Sequence, residues 1–441
     1  MKKKLGIYLV AAAVVVLIGL GLLLYLWFFE GEAPQISISP KVEYVGKEVA
    51  FKIEASDSKR GLRKVVFKLT QGSKEKVLFA ETLGALKTYE KEFILKPLEL
   101  GLSQGKIQLE LAAYDNSMRN GGEGNLTTIR LEAIVDTTPP SVTPVSPFHY
   151  YNEGGTGVVV YKASEDVVET GVKTSDTFFK AYKVEPQGNI WICFFPIGEG
   201  DRSGKKFYLY AKDRAQNMTN SSFNYQIRPK RFRSDTITVS DGFINTILPY
   251  FESIGIPSKG SLLEWFKHIN TVEREADEKK FKELAQDTSQ TALWKGPWLR
   301  LKNSKPMAGF GDRRTYRYQG SVVGESVHKG IDLASLQNSP VEASNGGRVV
   351  FVGDMGIYGK TIVIDHGQGI HSTYSHLSEI KVKVGEEVEK GHIIGTTGST
   401  GLAGGDHLHF GIMVQGEFVN PIEFWDPLWI KEKITRWIEK G

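Results

Sequence analysis

The uncharged, mostly apolar run from Leu5 to Phe29 constrains this 441-residue chain more than any other stretch. As one helix it is long enough to cross roughly 30 Å of hydrocarbon. Lys2, Lys3 and Lys4 precede it, and Glu30 and Glu32 follow it. That charge asymmetry predicts a single span with the amino end inside and the bulk of the chain outside, and Tyr25, Trp27 and Phe28 suit the far interface. A cleaved signal peptide is the alternative, although the run exceeds a typical signal core and no small-x-small site directly follows. Whatever folds beyond it does so without an intrachain disulfide, because Cys193 is the single cysteine. Set in the apolar run Ile190 to Phe195, Cys193 reads as a small buried hydrophobe.

Outside that run the pattern changes several times, as expected for a chain of about two to four domains. From Ala33 to about Asp136 short segments alternate between apolar and polar residues, as in Val49–Ala55, Lys64–Leu69 and Ile107–Leu111. Period two at this spacing, punctuated by Gly, Asn, Asp and Ser, predicts a β-sandwich. A second segment repeats the first loosely. Ala112-Ala113-Tyr114-Asp115 with Asn120-Gly121 parallels Tyr210-Ala211-Lys212-Asp213 with Asn217, and Thr137-Thr138-Pro139-Pro140 divides the two. Both resemble bacterial immunoglobulin-like modules. Their Asp and Asn clusters read as turn chemistry, with calcium binding as the alternative.

Helical spacing takes over near Ser261, which caps Leu262-Leu263-Glu264-Trp265-Phe266 ahead of a charged stretch. His268 is placed on the apolar side of that pattern. The final region is dense in glycine and histidine: residues 301–420 hold 21 of 47 glycines and seven of nine histidines. Apolar alternations such as Arg348–Val352 among those glycines predict tight turns and bulged strands. Trp429, Ile430, Ile434, Trp437 and Ile438 predict a closing amphipathic helix. The expected fold is mainly β: an anchor (1–32), two immunoglobulin-like sandwich modules (33–138 and 139–232), a helical linker (233–292), a Gly-rich antiparallel β domain (293–424) and a terminal helix (425–441).

Chemistry concentrates in that β domain. On a strand the side chains of His407 and His409 face the same side, with Leu408 turned to the core. His328 and Asp332, four apart, share a face on a strand or a helix, and the β-type context favours a strand or bend. His328, Asp332 and one member of the pair supply two nitrogens and one oxygen, a set suited to catalytic zinc with a position left open. The net charge of +4 is small for the length and gives no reason to expect nucleic acid as a partner.

Six stretches in order carry a resemblance: Ala308–Arg314, His328–Ala334, Tyr358–Gly367, Tyr374–Ser378, Gly395–Gly401 and His407–Phe410. Together they resemble the M23 zinc metallopeptidases of the lysostaphin or LytM type. The resemblance implies one Zn2+ held by His328, Asp332 and His409, with His376 and His407 as the catalytic histidines. It also implies an endopeptidase acting on the peptide cross-links of peptidoglycan. Cleavage of D-Ala–diaminopimelate cross-links is expected over glycyl-glycine cleavage, since one span followed by β modules suits an inner-membrane protein with a periplasmic catalytic domain. The alternative is a non-enzymatic regulator that binds a wall amidase or another envelope partner, and the β modules could supply such a contact or act as spacers. The stretch Ser261 to Lys282 could also cover the cleft. Of the remaining histidines, His366 and His371 are expected to orient loops or line the groove, and His149 and His392 to lie at the surface.

Overall fold

The computed structural model describes residues 2–440 apart from 187, 199, 202, 203 and 259. The chain is mainly β and divides into two compact units, residues 1–139 with 213–217, and 140–212 with 218–441.

The first unit begins with the helix Lys2–Phe28, whose segment Leu5–Phe28 is long and apolar enough to cross a membrane and is exposed all round. Beyond it, the strands Gln35–Ser39, Val49–Ser56 and Thr88–Leu95 form one antiparallel sheet. Tyr44–Val45, Leu126–Val135, Gly105–Asp115, Leu62–Gln71 and Lys74–Leu86 form the other. Phe51, Ile53, Phe67, Leu69, Leu109 and Leu111 fill the space between them. The alternation seen in the sequence is therefore a two-layer sandwich with one wet and one dry face per sheet.

In the second unit the strands Thr156–Ala163 and Ile190–Pro196 pair antiparallel and are buried on both faces. Val159, Tyr161, Cys193 and Phe195 point into the core of their own β module. Val158, Val160, Ile190, Ile192 and Phe194 point the other way, into one core with Trp298, Ile364, Ile370, Val414 and Val419. Double burial explains the unbroken apolar run around Cys193. This module is thus welded to the Gly-rich domain instead of hanging from it. Gln415 ties the seam, donating from Nε2 to Lys180 O and Phe194 O (2.9 and 2.7 Å).

The Gly-rich domain is built on an eight-stranded sheet. Its order runs Lys305–Ala308, Ile331–Ala334, Leu408–Val414, Ile370–Leu377, Gly359–Asp365, Gly347–Met355, Glu387–Val388, with Glu417–Val419 added beside Leu408–Val414. Three helices flank it: Asp241–Ser253, then Leu262–His268, which continues through the wider turn Ile269–Glu273 into Arg274–Leu284. A capping box between Ser261 and Glu264 starts the second of these. Phe251, Trp265, Phe266, Ile269 and Phe281 share a core with Tyr316, Met355, Tyr358 and Met413 of the sheet region. The strand Ser234–Val239 precedes these helices and pairs in parallel with Arg313–Tyr318.

Two placements made from the sequence fail. His268 is exposed and turns to Glu273 (3.1 Å), because the buried face is centred on Trp265, Phe266 and Ile269. His149 is buried, not at the surface. Its Nδ1 lies 3.1 Å from Asn224 O, and its ring packs on Phe223, because the strand His149–Asn152 alternates with His149 and Tyr151 inward.

Candidate metal centre

Asp332 and His409 are direct cross-strand partners on Ile331–Ala334 and Leu408–Val414. The flanking pairs, Ile331 with Phe410 and Leu333 with Leu408, point into the core. Period two therefore puts Asp332 and His409 together on the opposite face. His328 follows the strand Ser321–Val327 and is held by its backbone, with its N–H on Asp312 O and its carbonyl accepting from Gly311 N–H. Gly330 makes the approach possible: a Cβ there would meet His409 Nε2 and Phe410 O at 2.6 Å.

The three side chains converge tightly. His328 Nε2 lies 2.9 Å from Asp332 Oδ1 and 3.0 Å from His409 Nδ1, and His409 Nδ1 lies 2.9 Å from Asp332 Oδ1. His328 Nδ1–H donates to Gly309 O (2.7 Å), which leaves a lone pair on Nε2. Two ring nitrogens and a carboxylate oxygen thus face one point. Tetrahedral ligands about 2.0 Å from a metal are roughly 3.3 Å apart, so a small expansion of this triangle is all that an ion would require. The donor set fits a divalent transition metal.

Burial works to raise the Asp332 pKa, but His328, His407 and His409 overcome it and hold the carboxyl well below its usual range. Arg314 donates to Asp332 Oδ2 (2.9 Å), so one carboxylate oxygen is committed to the guanidinium and the other to the cluster. Burial lowers His409 to about 4, keeping it neutral.

His376 and His407 stand beside this triangle, with ring centroids 4.8 Å apart. His376 occupies a bulge: Lys360 pairs with Leu377 and Ile362 with Tyr374, so Ser375 and His376 together oppose Thr361. Its φ of +61° is strained for a residue with a Cβ and aims the imidazole at the cluster. His376 Nδ1–H donates to Thr400 O and His407 Nδ1–H to Gly405 O, both at 2.8 Å, leaving both Nε2 atoms as bases. Burial, then the neighbouring imidazoles, push the His376 pKa well down. Burial pushes the same way on His407, but Asp332, 3.6 Å from its Nε2, outweighs it and raises the pKa.

All five residues line one cavity of about 330 Å³. Its walls include Arg314, Tyr316, Lys329 and Tyr358, together with Asp235, Phe243 and Arg274 from the strand and helices that precede the Gly-rich domain. Those helices contribute to the wall. The Tyr358 hydroxyl is buried there without a partner. His366 and His371 do not line this cavity and lie fully buried in the sheet. His366 Nδ1–H donates to Gly346 O (2.7 Å), and His371 sits 3.6 Å from Asp365. His392 is exposed. Asp312 orders the turn before His328, accepting Gly309 N–H at 2.7 Å. Asp312 and Arg314 both lie in the stretch Ala308–Arg314, and nothing in that stretch signals the contact of Arg314 with Asp332.

A mainly β domain that gathers a His2Asp donor set and two further imidazoles offers the kit of a metal-dependent hydrolase. Residues 326–421 match peptidase family M23, so the chain carries an M23 peptidase domain and, with it, a site for a metal cofactor. Over 96 residues it is 42% identical to the DD-carboxypeptidase/endopeptidase Mpg of Neisseria meningitidis, covering 22% of each chain. It is 40% identical over 96 residues to the peptidoglycan DD-endopeptidase ShyA of Vibrio cholerae, again 22% of each. It is 38% identical over 101 residues to the murein hydrolase activator NlpD of Salmonella dublin, covering 23% of this chain and 26% of that one. The matched stretch therefore spans about a quarter or less of these relatives.

Proposed function

We propose that this protein is a zinc-dependent endopeptidase that hydrolyses the peptide cross-links of bacterial peptidoglycan, with D-Ala–diaminopimelate bonds as its preferred target. The observation that carries the reading is the triangle of His328 Nε2, Asp332 Oδ1 and His409 Nδ1, with two tautomer-fixed imidazoles beside it. A zinc ion bound there supplies Lewis acidity toward the scissile carbonyl and the attacking water. His376 and His407 take the water's proton and return one to the leaving amine, through Nε2 atoms kept free by the Nδ1 hydrogen bonds. The charge of the cation offsets that of Asp332, which removes the cause that raises His407 and favours its neutral, basic form. The buried Tyr358 hydroxyl is a donor available to the developing oxyanion.

The preference for D,D bonds draws support from the activities in the names of Mpg and ShyA. The apolar helix serves as a single-pass inner-membrane anchor with the catalytic domain in the periplasm, in keeping with Lys2–Lys4 before it and Glu30 and Glu32 after it. Similarity to an activator gives a second reading, in which the domain binds an envelope enzyme and cuts nothing. Digesting purified sacculi with the zinc-loaded protein and identifying fragments by mass separates the two. Cross-linked dimers should become monomers; unchanged muropeptides across wall types would favour the activator.

A further inference from the structure

A group of carboxylates at the membrane-proximal end of the first unit plays no part in the peptidase chemistry. Glu30 follows the apolar helix by two residues, Asp57 follows the strand Val49–Ser56, and Asp115 ends the strand Gly105–Asp115. Each brings a carboxylate oxygen within 4.8 Å of the others, and all three residues are buried. None of them forms an ion pair with a described lysine, arginine or histidine; Lys59 turns to Glu32 instead (2.9 Å).

The hydrogen bonds leave room for a ligand. Asp57 accepts Lys59 N–H and Gly61 N–H on Oδ1 alone. Asp115 accepts Ser117 N–H and Asn125 N–H on Oδ1, and Asn125 Nδ2 on Oδ2. Glu30 accepts Glu32 N–H on Oε2, while its Oε1 is buried with no partner, although the residue is only 8% exposed. A buried carboxylate oxygen facing two more carboxylates is costly unless something positive is bound.

We propose that Glu30, Asp57 and Asp115 form a Ca2+ site that clamps the first β module to the end of the membrane helix. The donors are all hard oxygens, which excludes the nitrogen- and sulfur-seeking metals. Carboxylate oxygens that all lie within 4.8 Å of one another can share one ion at the Ca2+–oxygen distance of about 2.4 Å. The surrounding frame is already set, since Ser117 Oγ and Asn125 Nδ2 both donate to Glu30 O (2.9 and 3.0 Å). The same frame recurs where Asn217 Nδ2 donates to Asp213 Oδ2 (2.9 Å) and to Asp136 O (2.8 Å). The counterpart of Asn217 is therefore Asn125, not Asn120.

The test uses the full-length protein in detergent, stripped of calcium on a chelating resin and reloaded with zinc. Equilibrium dialysis against 45Ca2+ should show binding with a Kd of about 1 mM or tighter. Glu30→Gln and Asp57→Asn should each lose one equivalent of bound Ca2+ or weaken it about tenfold or more, while His409→Ala keeps it. Added Ca2+ should raise the unfolding temperature of the wild type and not that of Glu30→Gln. In calcium-free buffer Glu30→Gln should unfold no earlier than the wild type, which shows that the variant folds. Absence of binding at about 10 mM Ca2+, binding unchanged in both carboxylate variants, or loss of the ion in His409→Ala would overturn the proposal.

Discussion

Glu423 offers a quantitative test of how the second β module is joined to the peptidase domain. Its carboxylate is buried at their seam, accepting Asn152 Nδ2 on Oε1 (2.8 Å) and Thr156 N–H on Oε2 (2.7 Å). Burial raises its pKa from 4.5 to about 7, against the lowering effect of those two donors and of Lys230. A rise of that size corresponds to about 3 kcal/mol, at about 1.4 kcal/mol per unit. Because the folded pKa lies above the unfolded one, the folded protein holds a proton that the unfolded chain has released. The contribution is full below pH 4.5, declines as pH rises, and is lost above about 7. Glu423→Gln removes the titration. Its single oxygen can accept Thr156 N–H while Asn152 turns its own oxygen toward the new amide, so the variant should cost about 1 kcal/mol or less at pH 5. Between pH 5 and pH 8 the variant should then gain about 3 kcal/mol on the wild type, roughly 5 °C in the unfolding temperature of the second unit. Scanning calorimetry of both proteins across that range measures it. Parallel pH profiles would refute the buried, protonated carboxylate.

Four other outcomes follow from the same structure. His409→Ala should abolish zinc retention, whereas His376→Ala should retain zinc and lose about 10²- to 10⁴-fold in turnover; equal zinc loss by elemental analysis would sink the division of roles. Asp277 accepts Ile357 N–H (2.8 Å) beneath the cavity wall, so Asp277→Ala should destabilise by about 1–3 kcal/mol and Asp277→Asn by clearly less; denaturant midpoints showing equal losses would count against it. Phe194→Ala should cost about 3–5 kcal/mol and lower one calorimetric transition shared by the second module and the peptidase domain, and two independent transitions would contradict the shared core. Arg274 lines the cavity while bonded within its own helix to Asn270, and no ion pair with a described carboxylate involves it. Arg274→Ala should therefore raise KM about tenfold for peptides with a free carboxylate, leave kcat near wild type, and have little effect on the amidated peptides; a purely kcat effect would refute substrate binding.

Much of this was legible because short-range patterns dictate it. Period two in Val49–Ala55 and Ile107–Leu111 specifies which faces are dry, and His407-Leu408-His409 specifies which side chains share a face with Asp332. The parts that were not legible depend on partners remote in sequence. The strand Ser234–Val239 is short, and its neighbour lies some eighty residues later at Arg313–Tyr318. The run Ile190–Phe195 signalled burial at Cys193, but not that both of its faces are covered, nor by what. His376 follows a regular strand pattern, and only the two-to-one pairing against Thr361 turns it toward the metal centre. Arg314 sat in view within Ala308–Arg314, but an arginine gives no spacing signal for the carboxylate it will meet.

The distribution of the cavity's walls bears on what the site selects. The five residues to which we assign the chemistry lie within 326–421, the stretch that matches the family. Asp235, Phe243, Arg274 and Arg314 all lie before it, yet they face the same cavity. They are fixed there by burial: Phe251, Phe266 and Phe281 lock the helices against Tyr316 and Tyr358. Asp235, Phe243, Arg274 and Arg314 thus shape the approach to the site from outside the stretch that matches the family. Asp235 is paired with Arg233, and Asp332 with Arg314, so Arg274 and Lys329 leave the wall net positive even before a cation is bound. A cleft of that sign draws in anionic peptides. That sign is in keeping with the proposed preference for a cross-link that carries free carboxylates.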